Sequence, residues 1–560
     1  LTPQIPTTLT VAASQVIRSH VRQLLGRCER PTRSRTTSSR TRFTHPTIID
    51  YRCKNRTSHL FNIQNLALQK RTCYEPLAST DPDTQGTGAL VGAGAVLFGA
   101  LAVAAGNQAD AQQGPSPAPL DQLLGQPLQG KTALSKVQPR LAELAERNGI
   151  AEQQLERILA SDKTSWLDKD GKLFYSEPVA TAKERTATTK SPNWAKRAVA
   201  AATGPAFELH SKAGSNRVIY LDFDGHTISG TAWNTGGKPA TVNITPYDTD
   251  GNTSNWSTAE QNVVREVWAR VAEDYAPFDV DVTTQAPPES AITRSGSSDQ
   301  QYGTRVVIDP TTWYQSGCGC GGVAYVGVYD NTRQHSYYQP ALVFTKGVGT
   351  GAKNIAEAAS HEAGHNVGLN HDGTSSVGYY AGHGAWAPIM GVGYTKAISQ
   401  WSKGEYSNAN NKEDDFAVVG RNGLALRADD HGNGTADATA LTLGATANGI
   451  YASDSDVDTF RIDLAAGTFT FAANAAATGG DLDIKLQLLN SAGTVVATAD
   501  PASGQSNSGT PTGLSASISR QVTAGRYYLR VDNTGYGSPL NTGYSTYGSR
   551  GAYSVKVTAG

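Results

Sequence analysis

Cysteine is scarce in this chain: Cys28, Cys53, Cys73, Cys318 and Cys320 are all it has in 560 residues. An odd count at such spacing excludes a framework of paired disulfides as the basis of the fold. An excess of charge is lacking too. Lys and Arg number 48 against 49 Asp and Glu, which gives no electrostatic case for a nucleic-acid partner. Charged residues make up only 17% of the chain, glycine is abundant at 58 residues, and small polar residues dominate the second half. That texture is expected of a secreted, β-rich protein more than of a cytosolic enzyme. Methionine is nearly absent, Met390 being the only one. At 560 residues the chain is too long for a single core, and three or four units are expected.

The N-terminal end carries little hydrophobic periodicity. Residues 1–86 are rich in Arg, Ser and Thr, begin at Leu1 without an initiator methionine, and are expected to be disordered or a spurious extension. A transit peptide is the functional alternative. Residues 87–111 hold a small-and-apolar run, from Gly88 to Ala105, that ends near Ala109-Asp110-Ala111. This pattern suits an export signal, although acidic Asp81 and Asp83 precede it; a membrane anchor or a buried helix are the alternatives. Residues 112–205 follow a Pro-rich linker. Pro139 suits a first helical turn, with Leu141, Leu144 and Ala145 on one face and Asn148-Gly149 as its stop, and Leu155, Ile158 and Leu159 repeat the spacing. Asp170-Gly171 between Trp166-Leu167 and Leu173-Phe174-Tyr175 predicts a hairpin. Asp168-x-Asp170-Gly171 is read as a turn, because the remaining ligands of a calcium loop are missing.

The stretch that carries chemistry is His361-Glu362-Ala363-Gly364-His365-Asn366-Val367-Gly368-Leu369-Asn370-His371-Asp372. Histidines four apart share one face of a helix, close enough for one ion. Glu362, one residue round, falls beside that ion, where a base for an attacking water belongs. Gly368 can adopt a left-handed conformation, end the helix and let His371 approach as a third nitrogen ligand. The upstream Asn354-Ile355-Ala356-Glu357-Ala358-Ala359 suits a helix.

These twelve residues resemble the metzincin metallopeptidases, and most closely their reprolysin-like, adamalysin-type branch. The sole methionine, in Pro388-Ile389-Met390-Gly391, falls where that family places a methionine turn beneath its zinc. The resemblance spans residues 206–426 and implies an α+β zincin catalytic domain, two long helices on a mixed sheet. It further implies Zn2+ on His361, His365 and His371, with Glu362 as general base and acid in peptide-bond hydrolysis through a zinc-activated water. Some metzincins have a tyrosine two residues beyond the methionine; here that position is Val392, and nearby Tyr394 is off the pattern. By the same resemblance, residues 341–345 would be the sheet edge on which an extended peptide docks.

Position before this domain makes residues 112–205 a propeptide. No cysteine lies between Cys73 and Cys318, so latency would need steric blocking or an aspartate. Ser257-Thr258-Ala259-Glu260 is a capping box, and Val263, Val264, Val267, Trp268, Val271 and Tyr275 recur at helical spacing after it. For Cys318 and Cys320 a tight disulfide is expected, with metal ligation and redox chemistry as alternatives. His383 is read as a loop residue, with a place in the substrate cleft as the alternative, and residues 410–415 as a solvated stretch, with calcium recruitment as the alternative. Beyond about residue 427, short alternating stretches separated by Ala-Gly turns predict an all-β sandwich. Asp456-x-Asp458-x-Phe460, Asp481-Leu482-Asp483 and Gly525-Arg526-Tyr527-Tyr528 resemble the bacterial pre-peptidase C-terminal domain. For those aspartates calcium binding and turn capping both stay open. The expected whole is a secreted zinc endopeptidase made as a zymogen, acting on proteins or peptides, with no nucleic-acid partner and no lasting membrane association. The rival is an inert adhesion protein working through its sandwich.

Overall fold

The computed structural model describes residues 124–187 and 205–560. The readings of 1–86 and 87–111 lie outside the described residues. Three short helices open the described chain: α1 (Gly130–Val137), α2 (Leu141–Arg147) and α3 (Glu152–Ser161). Leu141, Leu144, Leu155 and Leu159 turn inward on a small core of their own, as the spacing predicts. A three-stranded meander accompanies them, from β1 (Leu128–Gln129), β2 (Ser165–Leu167) and β3 (Leu173–Pro178). β2 and β3 form the expected hairpin, and Asp168 Oδ1 fixes its turn by accepting the Asp170 and Lys172 amides.

β3 does not stop at its own unit. The larger domain contributes β4 (Arg217–Asp222), β5 (Asp281–Thr283), β6 (Tyr302–Asp309), β7 (Cys320–Tyr325) and β8 (Ala341–Phe344). Together with the meander these make one eight-stranded sheet in the order β1-β2-β3-β7-β8-β6-β4-β5. β5, β4, β6 and β8 run parallel, whereas β7 is antiparallel to both β8 and β3. This corrects the expected docking edge. β8 is interior, flanked by β6 and β7, and its four residues are fully buried, which is why they read as a continuous apolar run. The edge of the larger domain's own sheet is β7, and β3 pairs with it.

Two long helices pack on one face of this sheet. α4 (Thr258–Asp274) begins with the predicted capping box, Ser257 and Glu260 each satisfying the other's backbone. α5 (Ala352–Asn366) carries the histidine motif. Val264, Val267 and Val271 of α4 and Ile355, Ala359 and Ala363 of α5 share one core with Ile219, Val306 and Val343 from the sheet. The opposite face is covered by a hairpin from residues 226–244 with Trp233. Cys318 and Cys320 are joined in a disulfide at the start of β7.

The C-terminal module is the expected sandwich, a five-stranded sheet facing a four-stranded one over a core of Phe460, Leu486, Phe471 and Val555. It docks on the end of α4 through buried groups. The Glu273 carboxylate accepts the Asp481 and Ala552 amides at 3.3 and 3.1 Å, and Gln400 Nε2 donates to the Asp481 carbonyl at 2.5 Å. Among the described residues no helix is long and apolar enough to cross a membrane.

Candidate metal centre

α5 is alanine-rich and buried over most of its length, so it can lie flat against the sheet with both of its histidines inward. It ends where the sequence says it must. Gly368 has φ 96°, and a Cβ there would strike the Asn422 amide, so only glycine allows the turn. The Gly368 and Leu369 amides close the helix on the carbonyls of His365 and Gly364. The chain then returns, bringing His371 against the helix.

The three imidazoles meet. His361, His365 and His371 each offer a ring nitrogen, and with a carboxylate oxygen of Glu177 these atoms all lie within 4.8 Å of one another. The outward ring nitrogens are fixed by hydrogen bonds. His361 Nδ1 faces the Ile389 carbonyl at 2.9 Å, His365 Nδ1 the Leu369 carbonyl at 2.8 Å, and His371 Nδ1 the Asp162 carboxylate at 2.6 Å. With Nδ1 donating in each ring, every Nε2 is left as a lone pair aimed at a common centre. His365 Nε2 and His371 Nε2 are only 3.0 Å apart. Two lone pairs at that separation repel unless something positive lies between them.

Other orphaned atoms fit the same group. His361 Nε2 and both carboxylate oxygens of Glu362 are buried without a hydrogen-bond partner among the described residues. Each would leave a desolvated polar atom uncompensated, at a cost of order 1–3 kcal/mol, unless a cation and a water complete the site. Three imidazoles with a carboxylate are a donor set that suits zinc. Without a cation, burial drives His365 down to about 4; burial also lowers His371, but Glu177 and Asp162 outweigh it and raise that imidazole to about 10. Burial, joined by the charge of Glu177, raises the Glu362 carboxyl well above its usual range.

Two glycines make room for this arrangement. A Cβ on Gly322 of β7 would overlap Glu362 Oε1, so Glu362 reaches the site only across bare backbone. A Cβ on Gly364 would sit 2.6 Å from Met390 Sδ, and Met390 is wholly buried beneath α5. Met390 is tied to the third histidine's loop, its carbonyl accepting the Asp372 amide at 2.8 Å. The residues singled out in the sequence, His361, Glu362, His365, His371 and Met390, are thus brought together.

Others do not join them. His383 bonds the Tyr380 hydroxyl and the Gly543 carbonyl, each at 2.7 Å, which ties its loop to the sandwich. Residues 410–415 are not simply solvated: Glu413 accepts from the Asn370 amide and side chain beside His371, and Asp415 is buried. In the sandwich Asp456 caps a turn by accepting the Ala452 amide and Asp483 accepts from the Ser503 and Tyr544 hydroxyls, while Asp429, Asp430 and Asp458 approach one another closely enough to share an ion.

Three residues at the centre lack a signal in the motif. Tyr379 places its hydroxyl 3.1 Å from His371 Nε2, hydrogen-bonded to Glu177 Oε2 and 3.0 Å from Thr164 Oγ1. It precedes the methionine, whereas the family pattern looked for a tyrosine after it. Glu177 and Asp162 arrive from the far side of the sheet's edge, by a pairing no local pattern encodes. Beside the centre a pocket opens, lined by Glu357, His361, Glu362, Val392, Gly393 and Tyr394.

Residues 225–403 match the model of metallo-peptidase family M12, and residues 456–533 match that of the bacterial pre-peptidase C-terminal domain. The chain carries an M12 metallopeptidase domain. It is followed by a β-rich pre-peptidase C-terminal domain. The M12 match supports a zinc-dependent protease and implies protein or peptide substrates. No curated protein matches the chain. Among solved structures, the pre-peptidase C-terminal domain of a collagenase from Bacillus anthracis is 16% identical, with 23% of this chain and 97% of that one covered, at a TM-score of 0.16. A periplasmic lysozyme inhibitor from Aeromonas hydrophila is 12% identical over 21% of this chain and 93% of its own, at a TM-score of 0.14.

Proposed function

We propose that the protein is a secreted endopeptidase in which His361, His365 and His371 hold zinc and Glu362 is the general base and acid. The observation that carries this reading is the convergence of three fixed Nε2 atoms beside a buried carboxylate that has no hydrogen-bond partner among the described residues. Zinc, when bound, supplies a Lewis acid that polarises the scissile carbonyl and lowers the pKa of water to about 7. Glu362 takes a proton from the attacking water as its oxygen bonds the carbonyl carbon. The same carboxyl returns that proton to the amine nitrogen as the C–N bond breaks. The Tyr379 hydroxyl, already aimed at an oxygen at this point, donates to the oxyanion that develops. β7, antiparallel and at the domain's edge, pairs with the substrate backbone. Residues 112–205 act as a propeptide that must leave first. Secretion is favoured by the pre-peptidase C-terminal match and by the export-type run in the sequence.

The test is Glu362→Ala in the secreted, processed form. The variant should retain zinc and fold yet lose nearly all hydrolysis of casein, and a zinc chelator should abolish hydrolysis by the parent protein. Full turnover in the variant, or turnover indifferent to chelation, would contradict the scheme.

A further inference from the structure

The fourth member of the metal-ligating cluster does not come from the zinc motif. Glu177 lies on β3, in the segment read as a propeptide. β3 is laid antiparallel along β7, pairing Phe174 with Tyr325, Tyr175 with Ala324 and Ser176 with Val323. The register then breaks, because Pro178 pairs with Cys320, leaving Gly321 and Gly322 opposite the single Glu177. A bulge of this kind re-aims a side chain. Here it turns the Glu177 carboxylate into the centre. Oε1 stands 2.9 Å from His371 Nε2 and 3.3 Å from His365 Nε2, and Oε2 stands 3.7 Å from His361 Nε2. The Tyr379 hydroxyl donates to Oε2.

The same segment grips the centre in two more places. Asp162, at the end of α3, accepts from His371 Nδ1 and so orients the third imidazole. The ring of Tyr175 covers His371 and His365, at centroid distances of 3.9 and 4.5 Å. Backbone pairing with β7, the carboxylate and the ring together fill the place a bound peptide would take. No cysteine lies between Cys73 and Cys318, so a thiolate from this segment has no part in it.

We propose that Glu177 is a metal ligand delivered by the N-terminal segment, which holds the peptidase latent by putting a carboxylate where the attacked carbonyl and its water would go. This rests on the zinc reading of the three histidines. A carboxylate at that point cannot be cleaved, and its anchorage to the chain gives it an effective concentration no free peptide matches.

The experiment uses the full chain carrying Glu362→Ala, to prevent self-cleavage, loaded with Co2+ as a spectroscopic probe. Replacing Glu177 by Ala, or by Gln to keep its shape without its charge, should change the visible absorption of the bound cobalt. Acetohydroxamate, a small metal-binding probe, should then bind about tenfold more tightly or better, by the loss of an intramolecular competitor. An unchanged spectrum and an unchanged acetohydroxamate affinity in both variants would overturn the proposal. His365→Ala separates the two levels: loss of the cobalt band supports the site itself, whereas an undiminished band would overturn the underlying histidine reading along with the proposal.

Discussion

At the scale of single residues the site depends on atoms that are absent as much as on atoms that are present. Gly364 leaves space for the Met390 sulfur, and adding one carbon there meets it at 2.6 Å. Gly364→Ala should therefore destabilise the fold by about 1–3 kcal/mol, as overpacking does, read as a lower denaturant midpoint in metal-free protein. Tyr379 is the residue whose role the motif did not announce. If it donates to the oxyanion, Tyr379→Phe in the processed enzyme should lower kcat about 100-fold with little change in KM or zinc content. Equal rates for the two forms would confine Tyr379 to holding Glu177. His361, Glu362, His365 and His371 were legible because helical geometry ties their spacing directly to position in space. Tyr379, Glu177 and Asp162 were not, since nothing at short range relates them to the histidines.

At the scale of elements, the capping box of α4, the hairpin at Asp170-Gly171 and the stop at Gly368 follow from local chemistry, and the sequence reads them correctly. The order of strands does not follow locally. A run such as Ala341–Phe344 looks the same at an edge as in the middle of a sheet, and only the pairing of β3 with β7 decides which strand can receive a peptide. The junction between α4 and the sandwich was equally hidden, for it rests on acids that an ordinary reading puts at the surface. Burial pushes the Glu273 carboxyl up to about 8 and, with the neighbouring Glu357 charge, the Asp274 carboxyl up to about 7. In the unfolded chain such groups ionise near 4. Between those limits the folded form binds more protons than the unfolded one, so this contribution is full below about pH 4 and is lost as pH rises through about 8. Glu273→Gln removes the titration. The variant's Tm, compared with the parent's at pH 5 and at pH 8, should gain on it as pH rises; a difference constant with pH would contradict the assignment.

At the scale of the whole molecule, one sheet is shared between a segment and the domain it covers. The peptidase domain contributes a five-stranded sheet with an antiparallel edge, and the N-terminal unit completes it to eight strands. The sandwich grips the C-terminal end of α4 through Glu273. Composition and turn spacing made the sandwich legible as a module, whereas its docking surface is a matter of tertiary contact. Release of the N-terminal unit would expose β7 without disturbing the core under α4 and α5, which is built from the peptidase domain's own residues together with Tyr547 of the sandwich.

The central claim is that three imidazoles hold a zinc ion, and X-ray absorption at the zinc edge of the purified full chain tests it most directly. One zinc per chain is expected, with three imidazole nitrogens and an oxygen in its first shell, and the imidazole scattering diminished in His361→Ala. Absence of zinc, a sulfur-dominated shell, or a spectrum indifferent to His361 would contradict the account.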